Sequence, residues 1–255
     1  MQLRLVVAYD GTRFRGWQRQ AMGATVQGEL ERALGIVLRE PVRVRGAGRT
    51  DAGVHACAQV AAVRVQRVPE DLSRIHRSVN ALLPDDIAVS AIELADDAFD
   101  PRRDATSRVY EYRIWRAPAA SPFWRRWSWH VPRPLDLAAM QRAAGMLVGE
   151  RDFAAFCGAD PHERPRTTVR RVIESAWREE GPLLVYRIEA TAFLKHMVRN
   201  IVGTLVEVGS GSRPADSAAI VLADRDRTRA GPTAPAAGLV LVEVRYGHVW
   251  PLPHP

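Results

Sequence analysis

The stretch RGAGRTDAGVHACAQV (Arg45–Val60) places a carboxylate, Asp51, two residues from a guanidinium, Arg49, with His55 close behind. Glycine and aspartate share turns readily, because Asp accepts local backbone N–H bonds and Gly tolerates positive φ. By residue types alone, then, this is a turn between two apolar runs, with Arg49 solvated. The alternative is a single carboxylate mounted on a rigid turn beside a positive charge. Such a neighbour favours the ionised carboxyl, the form a nucleophile or base needs at neutral pH. No Gly-Lys-Ser/Thr follows, so the stretch is not a phosphate-cradling loop. No helix clearly opens there either, which excludes a dinucleotide fingerprint. Cys57 and Cys157 lie far apart without a CxxC or HxxC partner. Neither a structural metal nor a disulfide framework is therefore expected.

The elements that would carry such a turn can be read from hydrophobic periodicity. Leu3–Tyr9 reads as a strand running into the turn Asp10-Gly11-Thr12. Thr25 is placed to N-cap a helix with Val26, Leu30, Leu34, Val37 and Leu38 on one face. Pro41–Gly46 and Ala58–Val65 read as strands on either side of the opening stretch. A second helix carries Leu72, Ile75, Val79 and Leu82, closed by Pro84, and Ile87–Leu94 returns as a strand. This order, β-α-β-β-α-β, is the ferredoxin-like split unit.

The second half repeats the pattern. Thr106–Trp115 alternates, with Tyr110, Tyr112 and Ile114 on one face. Asp136 is placed to cap a helix using Leu137, Met140, Ala144 and Leu147. Strands follow at Val169–Trp177 and Leu183–Ala190, then a helix with the stripe Met197, Ile201, Leu205 and Val208, and a last strand over Gly238–Tyr246. The expectation is an α+β protein of two such halves, 1–103 and 104–255. Their strands would form a central, mainly antiparallel sheet with a cleft between the halves.

A chain of 255 residues suits one large or two ordinary domains, and 47% hydrophobic with 25% charged residues is ordinary globular composition. The charge is not ordinary. The chain has 36 Lys+Arg against 29 Asp+Glu, a net +7, and Lys195 is its only lysine. A basic surface points weakly to a polyanionic partner. The N-terminus has no apolar leader core, and no apolar run reaches the ~18 residues of a spanning helix. No membrane contact and a cytoplasmic location are expected.

Five segments occur in order: YDGTRFRGWQRQ (Tyr9–Gln20), GRTDAGVHA (Gly48–Ala56), RVYEYRI (Arg108–Ile114), FLKHMVRNIVG (Phe193–Gly203) and GPTAPAAGLVL (Gly231–Leu241). Together they resemble the bacterial tRNA pseudouridine synthase A family over nearly the whole chain, from about residue 3 to residue 246. The resemblance implies a pseudouridine synthase fold and an isomerase that turns uridine into pseudouridine at positions 38–40, in the anticodon arm of tRNA. It also implies a homodimer. The N-glycosidic bond breaks, the uracil turns, and C5 joins C1′; neither cofactor nor metal is implied.

By the same resemblance Asp51 is the catalytic carboxylate. It would attack the ribose or the uracil ring, or remove a ribose proton. Arg49 would lie against the RNA and help hold out the target base, which must leave its stack to be reached. Tyr110 would stack on that base, Arg199 would pair with the catalytic carboxylate, and Leu239 with Leu241 would form an apolar platform or simply strand core. Arg199 sits off the apolar stripe of its helix beside Asn200 and Gly203, a face expected to open toward the cleft. Ala58 stands where the family usually has a Gly before Gln-Val, a departure bearing on local backbone only. The basic segments Arg164–Arg171 and Trp124–His130, the latter interleaved with tryptophans, could hold phosphates. A non-catalytic RNA-binding module is the rival class, but an RNP1-type aromatic pattern is missing from the first-half strands. A glycosidase would need a second carboxylate near Asp51, and none is recognisable.

Overall fold

The computed structural model describes residues 1–67, 70–159 and 165–247. Strands and helices alternate in an α+β chain whose strands pair mainly antiparallel. Two compact units divide it: Met1–Thr106 together with the segment from Val240, and Ser107–Leu239.

The first unit contains β1 (Gln2–Tyr9), α1 (Val26–Leu38), β2 (Val44–Gly46), β3 (His55–Arg64), α2 (Leu72–Leu82) and β4 (Ile87–Ala95). β1 pairs antiparallel with both β4 and β3, and β2 pairs antiparallel with β3. That is the strand order of the split β-α-β-β-α-β unit. β1 lies between two strands, and its side chains are buried on both faces, even Gln2 and Arg4. The Gln2 amide donates to the Phe99 carbonyl, and Arg4 Nη1 pairs with Glu93 on β4 at 3.1 Å. Thr25 caps α1 by accepting the Gly28 N–H at 3.2 Å, as its position predicts. Asp71 caps α2 in the same way, accepting from the Arg74 N–H at 2.8 Å.

The second unit runs β5 (Ala105–Trp115), β6 (Trp129–His130), α3 (Leu137–Gly145), β7 (Gly149–Asp152), β8 (Val169–Glu180), β9 (Leu183–Ala190), α4 (Met197–Gly209) and α5 (Ser217–Asp224). β9 pairs antiparallel with β5 and β8, β8 with β7, and β6 lies parallel to β5. Asp136 caps α3, accepting from the Ala139 N–H at 2.9 Å. The succession β5, α3, β8, β9, α4 repeats the order of the first unit. The last strand, β10 (Leu239–Tyr246), pairs in parallel with β3, at Val240 with His55 and Leu241 with Ala56.

Here the structure departs from a division at 103/104 that keeps the C-terminal strand with the second half. β2 is so short that it leaves the His55 end of β3 open, and β10 takes it. β6, β7 and α5 carry no periodic signal: the first two are too short, and SAAIVLAD is apolar without a polar face.

Candidate active site

Asp51 begins a tight turn. The Val54 N–H donates to the Asp51 carbonyl at 3.1 Å, and Gly53, third in the turn, has φ +79°. A positive φ at that position alone is the type II signature, which favours glycine. Asp51 is half-buried and Arg49 exposed, so both are within reach of a solute.

The turn is braced by the segment Tyr9–Gln20. The Trp17 N–H donates to the Thr50 carbonyl at 3.1 Å, and the Gly53 N–H to the Phe14 carbonyl at 3.4 Å. Phe14 and Trp17 are both buried beneath it. Three glycines are needed for that approach. A Cβ on Gly11 would meet the Val54 carbonyl oxygen at 2.0 Å. One on Gly16, whose φ is +87°, would meet the Thr50 oxygen at 2.6 Å. One on Gly46 would meet the Trp17 ring at 2.6 Å.

Side chains complete the mount. The Tyr9 hydroxyl and Thr50 Oγ1 are 2.8 Å apart in the interior, and Gln59 Nε2 donates to the Gly48 carbonyl at 2.9 Å. Burial, offset in part by the bonds to Thr50 and Gln59, pushes the Tyr9 phenol up to about 12. It therefore stays a neutral hydroxyl beneath the turn. His55 Nδ1 lies 3.1 Å from both the Gly11 N–H nitrogen and Asp10 Oδ1. One ring nitrogen cannot accept from the first and donate to the second. The Gly11 N–H is fixed by the backbone, and Asp10 Oδ1 already accepts from the Thr12 N–H at 2.9 Å and hydroxyl at 2.5 Å. Nδ1 is thus the acceptor of the Gly11 N–H, and His55 serves as a structural post. β3 continues through Ala58, but its register with β1 shifts there: Val7 faces Gln59 and Tyr9 faces Ala56, an irregularity that falls at Cys57-Ala58, where the chain departs from the family pattern.

In the second unit the segments Phe193–Gly203 and Gly231–Leu241 interlock. A Cβ on Gly203 would sit 1.7 Å from the Pro232 carbonyl oxygen, so α4 and the Gly231–Ala234 strap meet backbone to backbone. Asn200, fully buried, is the hub. Its Nδ2 donates to the Phe156 carbonyl at 2.8 Å, while its Oδ1 accepts from the Thr233 hydroxyl at 2.6 Å and from Arg227 Nη2 at 3.0 Å. Thr204 accepts from the Gly231 N–H at 2.8 Å. The Asn200–Gly203 face of the helix is therefore covered by the strap, not open as its polarity suggests. α4 is buried nearly all round.

Arg199 is half-buried at the edge of this contact. Its Nε donates to the Ala234 carbonyl at 2.8 Å, and its own carbonyl accepts the Ala234 N–H at 3.1 Å. Its positive charge acts on Tyr112, fully buried in β5, whose hydroxyl donates to the Pro235 carbonyl at 2.7 Å. Burial nevertheless raises the Tyr112 phenol well above its ordinary range. Tyr110, on the same face of β5, is 7% exposed and meets Phe193 edge-on at 5.0 Å. Phe193 belongs to the same segment as Arg199, so the structure gathers Tyr110 and Arg199 around one interlocked pair of segments. Leu239 is buried at the end of the strap and Leu241 is fully enclosed, as strand core is.

His196, which caps α4, has φ +58°, a left-handed conformation costing a non-glycine residue about 1–2 kcal/mol. Gly158 packs so closely on it that a Cβ would meet its ring nitrogen at 2.7 Å. Strain of this kind gathers at functional sites. Spacing gave no sign of the bracing glycines, of Asn200 or of His196, because each matters only through a contact distant in sequence. Among the described residues no helix is long and apolar enough to cross a membrane, and no cluster of three metal-ligating side chains occurs.

The family model described as tRNA pseudouridine synthase matches residues 5–102 and 143–247. The chain belongs to the tRNA pseudouridine synthase family, isomerases that convert uridine in tRNA to pseudouridine. Among its relatives, tRNA pseudouridine synthase A of Myxococcus xanthus is 47% identical over 96% of this chain and 92% of its own length. The enzyme of that name from Solidesulfovibrio magneticus is 49% identical, over 96% and 91%. That from Geobacter sulfurreducens is 45% identical, over 96% and 99%.

Proposed function

We propose that this enzyme isomerises uridines 38–40 in the anticodon stem-loop of tRNA, in the cytoplasm and as a homodimer, with Asp51 as the catalytic carboxylate. One observation carries the assignment of Asp51. It is a half-buried carboxylate on a turn that the segment Tyr9–Gln20, three glycines and a neutral tyrosine hold in place. A pre-positioned group of that kind spares the entropy and reorganisation that a mobile side chain would lose at each turnover.

The reaction balances within the substrate. The N1–C1′ bond breaks, C5 bonds to C1′, the proton on C5 leaves and N1 takes one up, so no group donor or redox partner enters. Asp51 acts on the extruded nucleoside at the ribose or the uracil ring. Tyr110 stacks on the turned-out uracil, Arg49 fills against the RNA backbone, Arg199 pairs with the Asp51 carboxylate, and Leu239 lines the base's apolar side. The Tyr110 ring suits the first of these roles because Phe193 fixes its plane.

The test is Asp51→Asn and Asp51→Ala, assayed by tritium release from [5-³H]uridine-labelled tRNA. Both variants fold, bind tRNA and release no tritium above background. Activity within tenfold of wild type in either would remove Asp51 from the chemistry. Mapping pseudouridines in tRNA from cells with and without the protein then fixes the positions modified.

A further inference from the structure

At the Trp115 end of β5 the chain makes a long excursion, residues 116–134, before α3 begins. Its outward side carries an aromatic ring and three exposed arginines, Arg125, Arg126 and Arg133. Phe123 is 84% exposed. A phenylalanine so exposed forgoes most of the burial that would favour it, about 25 cal/mol per Å² of apolar surface. The loop around it is nonetheless built, not loose. Trp115 and Trp124 stack at 6.4 Å with planes 18° apart. The Trp124 N–H donates to Ser121 Oγ, the Arg125 N–H to the Ser121 carbonyl, Ser128 Oγ to the Trp124 carbonyl, and Trp115 Nε1 to the Ala119 carbonyl. Phe123 is held out on a rigid support.

In the same excursion, Arg116 and Arg133 line an open cavity of about 370 Å³ walled by Ala117, Pro132, Pro134, Leu135 and Pro182. Arg116 donates through Nη2 to Glu179 at 2.6 Å, but its buried Nε meets no acceptor. A buried donor left this way costs about 1–3 kcal/mol. Arg133 is exposed, as are Arg125 and Arg126, and among the described residues none of the three has an ion-pair partner. Of the acidic groups on the adjoining elements, Glu179 pairs with Arg116, Glu180 and Glu111 with Arg178, Glu174 with Arg187, and Asp136 caps α3.

We propose that residues 116–134 form a second RNA-contact surface, on which an unpaired base of the substrate tRNA stacks on Phe123 while a backbone phosphate sits between Arg116 and Arg133. Planar guanidinium donors fit phosphate oxygens, and an exposed ring flanked by arginines is the pairing that single-stranded RNA binds. Trp115 lies five residues along β5 from Tyr110, about 17 Å at strand rise, so this contact is separate from the stacking of the target uracil. The proposal rests on tRNA being the substrate.

The experiment uses the full chain, unmodified tRNA transcript as probe, and Phe123→Ala, Arg133→Ala and Arg125→Ala/Arg126→Ala, all at exposed positions. Wild type must first bind and modify the transcript; if it does not, the functional reading fails and not this surface. Phe123→Ala is expected to weaken tRNA binding about tenfold, the loss of one base–ring stack. It should raise KM and leave kcat within twofold. Arg133→Ala should lower the slope of log Kd against log salt by about 0.7–0.9, one phosphate contact. Unchanged affinity and salt slope in all three variants would overturn the proposal. So would a shift of Phe123→Ala from dimer to monomer with tRNA affinity retained, which would assign the ring to contact between copies of the chain.

Discussion

Asp51 carries the proposed chemistry, but Tyr9 shows how the site is kept in shape. Its hydroxyl meets Thr50 in the interior, and the native phenol is held near 12 against about 10 for an unfolded tyrosine. The pKa is raised on folding, so its stabilising contribution is complete below pH 10 and is lost as pH rises through 12. Stability should fall across that window, by about 1.4 kcal/mol per pH unit for each tyrosine so raised. Tyr112 and Tyr186 are raised by burial as well. At pH 11 the native absorbance change near 295 nm should therefore omit three of the five tyrosines. Tyr9→Phe should reduce the pH dependence of urea unfolding above pH 10 by one proton. It should also lower stability at pH 8 by about 1 kcal/mol through loss of the Thr50 bond. An unaltered alkaline slope in Tyr9→Phe would mean that Tyr9 is not the buried phenol described.

At the scale of elements, the work is done by pairs of segments that meet backbone to backbone. Gly16 accommodates the Asp51 turn and Gly203 the strap on α4. Gly16→Ala adds a Cβ 2.6 Å from the Thr50 oxygen at φ +87°. It should cost about 1–3 kcal/mol and lower kcat more than tenfold, because the turn that carries Asp51 must shift. Gly48→Ala, in the same stretch, meets nothing within 4 Å and should leave the melting temperature unchanged. Gly203→Ala should destabilise by about 3 kcal/mol, read by thermal melting, since a Cβ 1.7 Å from the Pro232 oxygen forces the strap away from the Asn200 hub. The helices α1, α2 and α3 and most strands were legible because capping residues and apolar spacing act within a few residues. Arg199's surroundings were not: a helix wheel marks Asn200 and Gly203 as polar or small, and only the strap shows that they are enclosed.

For the whole molecule, the +7 charge and the exposed arginines suit a polyanion, and the family supplies its identity as tRNA. The proposed homodimer predicts a sedimenting species of twice the 28.3 kDa chain mass at micromolar concentration. A monomer that retains full activity would remove dimerisation from the account. tRNA binding should weaken steeply between 50 and 200 mM salt, as phosphate-neutralising interfaces do.

The sequence by itself determined the doubled β-α-β-β-α pattern, the caps at Thr25 and Asp136, and the turn that offers Asp51. Each is encoded in residues near one another along the chain. Only the tertiary structure decided that β10 completes its pairing on β3, and that Tyr9–Gln20 clamps the Asp51 turn. It alone showed His55 to be a post and the face around Asn200 to be closed by Gly231–Ala234. Those outcomes depend on which distant backbones can approach within hydrogen-bonding distance. Volume, glycine placement and unspent donors settle that question, and none of them leaves a periodic trace in the sequence.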